Sequence, residues 1–229
     1  MNFQAVGALL IVVLFGITIF SIVETNVEGD PIRVACIGDS ITEGSGYPSM
    51  LHQLLGPNYT VANFGVSGST VTSQSIRPYM DQAAFQEAID YHPDIVVIML
   101  GTNDANNDIA QNETSFETDY TQIINSFEQL EGRQLIWVVK SPPIFANNSS
   151  YNNTYLENNV FPQIDDVADQ MKIPTVDMYG AFGNHSDLFM DGVHPDSEGA
   201  SLIASHVYDA ITLPDGAPDT TQFGDGYSG

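Results

Sequence analysis

Near its C-terminal end the chain reads Asp191-Gly192-Val193-His194-Pro195. A carboxylate three residues before an imidazole, across a glycine, can bend back to the ring's Nδ1–H. A histidine held that way can take the proton of a hydroxyl, which is the help a serine needs to become a nucleophile. Pro195 then sets the backbone as it enters a helix. A metal site at Asp191 and His194 is the competing reading, but no second histidine or acid cluster stands with them. His52 and His206 fall within helical patterns, His92 precedes Pro93, and His185 sits in a polar loop. None of these four has an acid at the same spacing.

The serine such a base would serve is Ser40, in Gly38-Asp39-Ser40-Ile41-Thr42. This stretch lacks the three spaced glycines of a dinucleotide site, and Thr42 stands where a nucleophile elbow has its second glycine. A serine on a tight strand-to-helix turn can still present its hydroxyl, with its own backbone N–H beside it. A turn in which Ser40 caps the helix explains the tripeptide as well. Two further segments could line the same crevice. Asn63-Phe64-Gly65-Val66-Ser67-Gly68-Ser69-Thr70 has glycines that let backbone N–H groups approach a ligand. Gly101-Thr102-Asn103-Asp104 offers a side-chain amide as a donor. Plain turns account for both segments equally.

The elements that would position these residues follow from hydrophobic pattern. Runs at 32–37, 59–64, 94–100, 134–140 and 173–178 are rich in Val and Ile without polar alternation, as in buried parallel strands. Helical periodicity covers 114–130, with Thr114 and Glu117 spaced as a capping box. It also covers 159–171 and 196–211, the latter with Asp196 as N-cap, and the shorter stretches 47–55 and 79–91. Strands alternating with helices give a parallel sheet covered on both faces. Ligands of such sheets bind beyond the carboxyl ends of the strands, and the segments above stand there.

In order and spacing, these four segments resemble the signature blocks of the SGNH hydrolases, also called GDSL esterases. The resemblance spans about residues 32–211. It implies an α/β fold, a flavodoxin-like three-layer α/β/α sandwich on a five-stranded parallel sheet, and a serine esterase that uses no metal or other cofactor. Ser40 matches the nucleophile, His194 the general base and Asp191 the residue that orients it. Gly68 and Asn103 match the oxyanion donors, with the Ser40 backbone N–H as the third. The same machinery serves lysophospholipases, lipases and thioesterases, which stay open as alternatives. A non-catalytic carbohydrate-binding ectodomain is a reading of another class, and the full Ser, Asp and His set argues against it.

Two long segments follow the third and fourth strands. Residues 105–113 are polar, and 141–159 carries Phe145, Tyr151 and Tyr155 among Asn and Ser. Aromatic faces beside amides and hydroxyls suit sugar rings, whereas a long-chain lipase needs a continuous apolar mouth. The resemblance extends to members that remove acetyl groups from carbohydrates. The expectation is therefore a short-chain acyl esterase acting on carbohydrate or small-molecule esters, although solvent loops with no substrate role would read the same.

Composition bounds the partners. With 29 Asp+Glu against 5 Lys+Arg the net charge is -24, which disfavours nucleic acid and anionic membrane surfaces. A single cysteine, Cys36, leaves no intrachain disulfide and no multi-cysteine metal site. The 229 residues divide into an apolar N-terminal segment (1–30), a hydrolase domain (31–213) and an acidic tail without periodicity (214–229). Residues 5–23 are uncharged and just long enough to span a bilayer, so a signal peptide and an uncleaved anchor are both open. Either reading expects export. Six Asn-x-Ser/Thr triplets, at Asn58, Asn112, Asn147, Asn148, Asn152 and Asn184, agree with a secreted glycoprotein and also with plain polar loops.

Overall fold

The computed structural model describes residues 29–106, 115–146 and 150–213. Residues 5–23, the tail, and the triplets at Asn112, Asn147 and Asn148 lie outside these or start outside them. The Val/Ile-rich runs form five strands: β1 (Ile32–Gly38), β2 (Tyr59–Gly65), β3 (Ile95–Met99), β4 (Leu135–Lys140) and β5 (Thr175–Asp177). All pair in parallel, in the order β2-β1-β3-β4-β5. That is the doubly wound order of flavodoxin-like sheets. The unbroken apolar runs belong to β1, β3 and β4, whose two faces are covered; every residue of β3 is buried. β2 and β5 correct the expectation of burial. They are edge strands with a neighbour on one side only, and both are partly exposed.

Alternate strand residues feed two cores, as period 2 requires. Ala35, Ile37, Val96, Ile98, Ile136 and Val138 face one way. They meet α3 (Ala83–Asp90), α4 (Phe116–Glu128) and α6 (Phe161–Met171). Val34, Cys36, Val97, Met99, Trp137 and Val139 face the other way. They meet α1 (Ser40–Gly44), α2 (Tyr47–Leu55), α7 (Met178–Phe182) and α8 (Ser197–Thr212). The result is the three-layer sandwich. Each fully buried large side chain contributes roughly 1.5–3 kcal/mol by leaving water, and Trp137, Phe127 and Phe182 are among the largest.

Helix boundaries differ from the periodicity in three places. The 79–91 stretch breaks at the extended residue Gln82 into a 3₁₀ turn (Tyr79–Asp81) and α3. The 159–171 helix is preceded by a one-turn α5 (Asn153–Tyr155) and a π turn (Leu156–Val160) that runs into α6. α4 has Ser115 at its N-cap, its hydroxyl bonded to that of Thr72 at 2.9 Å rather than to a helix N–H; Thr114 of the expected capping box lies outside the described residues. Asp196 caps α8 as expected, accepting from the N–H groups of Glu198 and Gly199 at 2.9 and 3.0 Å.

Candidate active site

The order of the sheet reverses at β1, which lies between β2 and β3. Gly38 pairs with Gly65 on one side and Met99 on the other, so the three strands end level. The crevice at this switch point gathers the three turns that follow. The turns pack too closely for side chains. A Cβ on Gly65 would lie 2.3 Å from the Glu43 backbone N, and one on Gly38 would lie 2.8 Å from the Met99 carbonyl.

Ser40 opens α1 but does not cap it. Asp39 is the cap, and its carboxylate accepts the Ile41 N–H at 2.9 Å. The Ser40 hydroxyl is thereby left for the crevice. It donates to His194 Nε2 at 2.9 Å, and His194 Nδ1–H donates to Asp191 Oδ2 at 2.7 Å. The carboxylate can only accept there, which fixes the tautomer and makes Nε2 the acceptor toward serine. Asp191 Oδ1 accepts the N–H groups of Val193 and His194 at 2.9 and 2.8 Å, closing the turn on itself. Burial works against the Asp191 charge, but these N–H donors and the His194 ring outweigh it and pull the carboxyl down to about 2. Asp191 is an anion at any working pH.

Gly192 joins this turn to the segment after β4. Its carbonyl accepts the Phe145 and Ala146 N–H groups at 2.7 and 3.0 Å. Its φ is +83°, and a Cβ there would lie 2.6 Å from Ala146 N. Phe189 wedges beneath, with ring centroids 5.1 Å from Phe145 and 5.0 Å from Phe182.

The loop after β2 is held from three sides. Asn63 donates its amide to the Thr42 carbonyl at 2.9 Å and accepts the Gly65 N–H at 2.9 Å. Glu43 accepts from both the backbone N–H and the hydroxyl of Ser67. Asp104 accepts the Val71 and Thr72 N–H groups, each at 3.0 Å. Between these anchors Gly68 has φ +77°, a conformation that favours glycine, and its N–H meets no acceptor among the described residues. Asn103 Nδ2 donates to the Ser69 carbonyl at 2.9 Å, and its Oδ1 accepts from the Tyr151 hydroxyl at 3.0 Å. Ser40, His194 and Asp191 are thus hydrogen-bonded in series, while Asn103 is tied to the residue after Gly68.

Burial raises the Asp39 carboxyl to about 6 against the opposing Ile41 N–H. Burial likewise raises Asp104 to about 6, the Asp39 charge adding to it and the Val71 and Thr72 N–H groups opposing it. The anchoring roles of Glu43, Asn63, Asp104 and the Tyr151 hydroxyl are not apparent from sequence. Asn63 and Asp104 do sit inside the matched blocks, the one signal that could have marked them. Of the aromatics expected at the crevice, Tyr151 reaches Asn103; Phe145 stacks on Phe189, and Tyr155 packs on the core. No cluster of His, Cys, Asp and Glu that could hold a metal occurs among the described residues. A cleft lined by Gln134, Leu135, Lys172 and Pro174 opens at the opposite ends of the strands, away from this chemistry.

The chain belongs to the GDSL-like lipase/acylhydrolase family, which it matches over residues 36–202. It is similar to an acetylxylan esterase of Xylanibacter ruminicola, with 32% identity over an alignment of 208 positions that covers 80% of this chain and 43% of that protein. The chain thus spans less than half the length of that relative. Its fold is similar to that of a carbohydrate acetylesterase from Sinorhizobium meliloti, with TM-score 0.64 and 18% identity over 79% of this chain and 98% of that one. It is also similar to that of an acetyl xylan esterase, AlAXEase, with TM-score 0.65 and 19% identity over 79% of this chain and 100% of that one.

Proposed function

We propose that the protein is a serine esterase that removes short acyl groups, acetyl above all, from carbohydrate esters. The observation that carries the reading is the series Ser40–His194–Asp191 at 2.9 and 2.7 Å, set where the sheet order reverses. In this mechanism His194 takes the Ser40 proton as Oγ attacks the ester carbonyl. The oxyanion of the tetrahedral intermediate is held by the N–H groups of Ser40 and Gly68 and by the second hydrogen of the Asn103 amide. His194 then gives its proton to the departing sugar hydroxyl. Water hydrolyses the acyl-enzyme by the same route, activated by His194. Asp191 stays ionised throughout and stabilises the imidazolium.

The choice of acyl group and sugar rests on two supports. One is the similarity to an acetylxylan esterase at 32% identity. The other is the position of Tyr151, a half-buried ring beside Asn103 in a segment otherwise rich in Asn and Ser. The test is a panel of p-nitrophenyl esters and acetylated xylan, run on the full chain and on Ser40→Ala. Acetate should be cleaved faster than octanoate, acetylated xylan should release acetate, and Ser40→Ala should lose nearly all activity with its circular dichroism unchanged. A kcat/KM that climbs steadily from acetate to octanoate would promote a lipase instead. Full activity in Ser40→Ala would overturn the nucleophile.

Export is proposed on the uncharged residues 5–23 and on the triplets at Asn58 and Asn184, both on exposed positions. Membrane attachment through 5–23 or release after cleavage are its two forms. Native protein found in the cytosol with Met1 retained would refute it.

A further inference from the structure

The machinery above gives no role to the hydroxyl of Tyr151, which lies outside the four matched blocks. The bonds around Asn103 decide what it does. The Ser69 carbonyl has no proton and can only accept, so the Asn103 atom facing it at 2.9 Å is Nδ2. The atom turned to Tyr151 at 3.0 Å is then Oδ1, which also can only accept. Tyr151 must therefore donate. Nδ2 carries two hydrogens; Ser69 takes one and the other remains for an oxyanion.

We propose that Tyr151 is a positioning residue for catalysis, acting through Asn103. Its hydroxyl fixes the amide plane so that the second Nδ2 hydrogen is aimed before substrate arrives. A donor on Oδ1 also draws electron density from the amide nitrogen and strengthens what Nδ2 donates, as hydrogen bonds in series do. The backbone delivers Tyr151 to this place. Residues 151 and 106 form an antiparallel bridge, and the Asn152 N–H donates to the Ala105 carbonyl at 3.1 Å. The segments after β3 and β4 are thereby stitched together directly above the amide. The Tyr151 phenol is raised above its ordinary pKa by burial and by the charges of Asp39 and Asp191, so it keeps the proton it donates.

The inference rests on Asn103 being an oxyanion donor, and a double-mutant cycle separates the two claims. Full-length protein, Tyr151→Phe, Asn103→Ala and the double variant are assayed on p-nitrophenyl acetate, with melting temperatures recorded. Removing one hydrogen bond worth about 1 kcal/mol should lower kcat five- to tenfold. KM should stay within about twofold, because an oxyanion donor acts in the transition state rather than in ground-state binding. In the Asn103→Ala background Tyr151→Phe should change kcat less than about twofold, the two groups acting as a unit. Tyr151→His, which keeps a ring and a donor, should recover part of the loss; no recovery would count against donation. An unchanged kcat in Tyr151→Phe, or the same loss with and without Asn103, would overturn the proposal. A loss expressed in KM would make Tyr151 a substrate wall instead. Full activity in Asn103→Ala would defeat the oxyanion assignment itself, and the proposal with it.

Discussion

Gly192 shows how much of this site depends on a residue with no side chain. It lies between Asp191 and His194, and its carbonyl carries two N–H groups from the segment after β4. Any other residue meets two obstacles at once: a φ of +83° and backbone 2.6 Å from the new Cβ. Left-handed backbone costs a non-glycine residue roughly 1–3 kcal/mol, and a backbone clash adds to it. Gly192→Ala should therefore lower the melting temperature by several degrees. It should lower kcat further than stability alone explains, because the turn that aims His194 must open. Wild-type kcat in a folded Gly192→Ala would show that the clasp between Gly192 and residues 145–146 does not set the histidine. The Asp191–His194 contact was readable because its spacing is written in the chain, and the Ser40–His194 contact, 154 positions apart, was readable through the family resemblance. The Glu43–Ser67 and Tyr151–Asn103 contacts were not, since nothing in a tyrosine's neighbours along the sequence says which amide its hydroxyl will meet.

Among the elements, α8 stands next to the turn, beginning three residues after His194. Asp196→Ala removes the cap that satisfies two of its first N–H groups, which should cost about 1 kcal/mol and lower the melting temperature by about 2–4 °C. The cap does not touch the reacting atoms, so kcat should hold within a few-fold. A drop as large as that of Gly192→Ala would mean that the helix start also aims the imidazole. The strands were legible because β1, β3 and β4 are buried on both faces and leave an unbroken apolar run. The break at Gln82 and the π turn at 156–160 were not, because both continue a helical hydrophobic pattern while the backbone departs from it. Sheet order was legible only through family resemblance: strand patterns alone do not say that β1 lies between β2 and β3.

For the whole molecule, charge sets the response to pH. Asp39 and Asp104 stand at about 6 in the folded chain, against roughly 3.9 for an unfolded aspartate. A raised acid binds its proton more tightly when folded, so stability is gained as pH falls from about 6 toward 4 and lost as it rises through that range. Asp191, held at about 2, works the other way: its contribution is complete above about 4 and disappears below it. The net charge of -24 adds self-repulsion that acid relieves. The melting temperature should therefore be higher at pH 5 than at pH 8, and adding salt at pH 8 should raise it. Equal stability at the two pH values would mean that the buried acids are not protonated in that window. The separation of Ser40 from His194 along the chain has a consequence for folding. Ser40 and His194 lie 154 positions apart, and contacts that distant are paid for late in loop-closure entropy. β1, β2 and β3 can pair while residues 186–213 are still searching. In refolding from denaturant, far-ultraviolet circular dichroism should return first. Esterase activity should lag behind it, waiting for α8 to dock on α2 and bring the histidine to the serine.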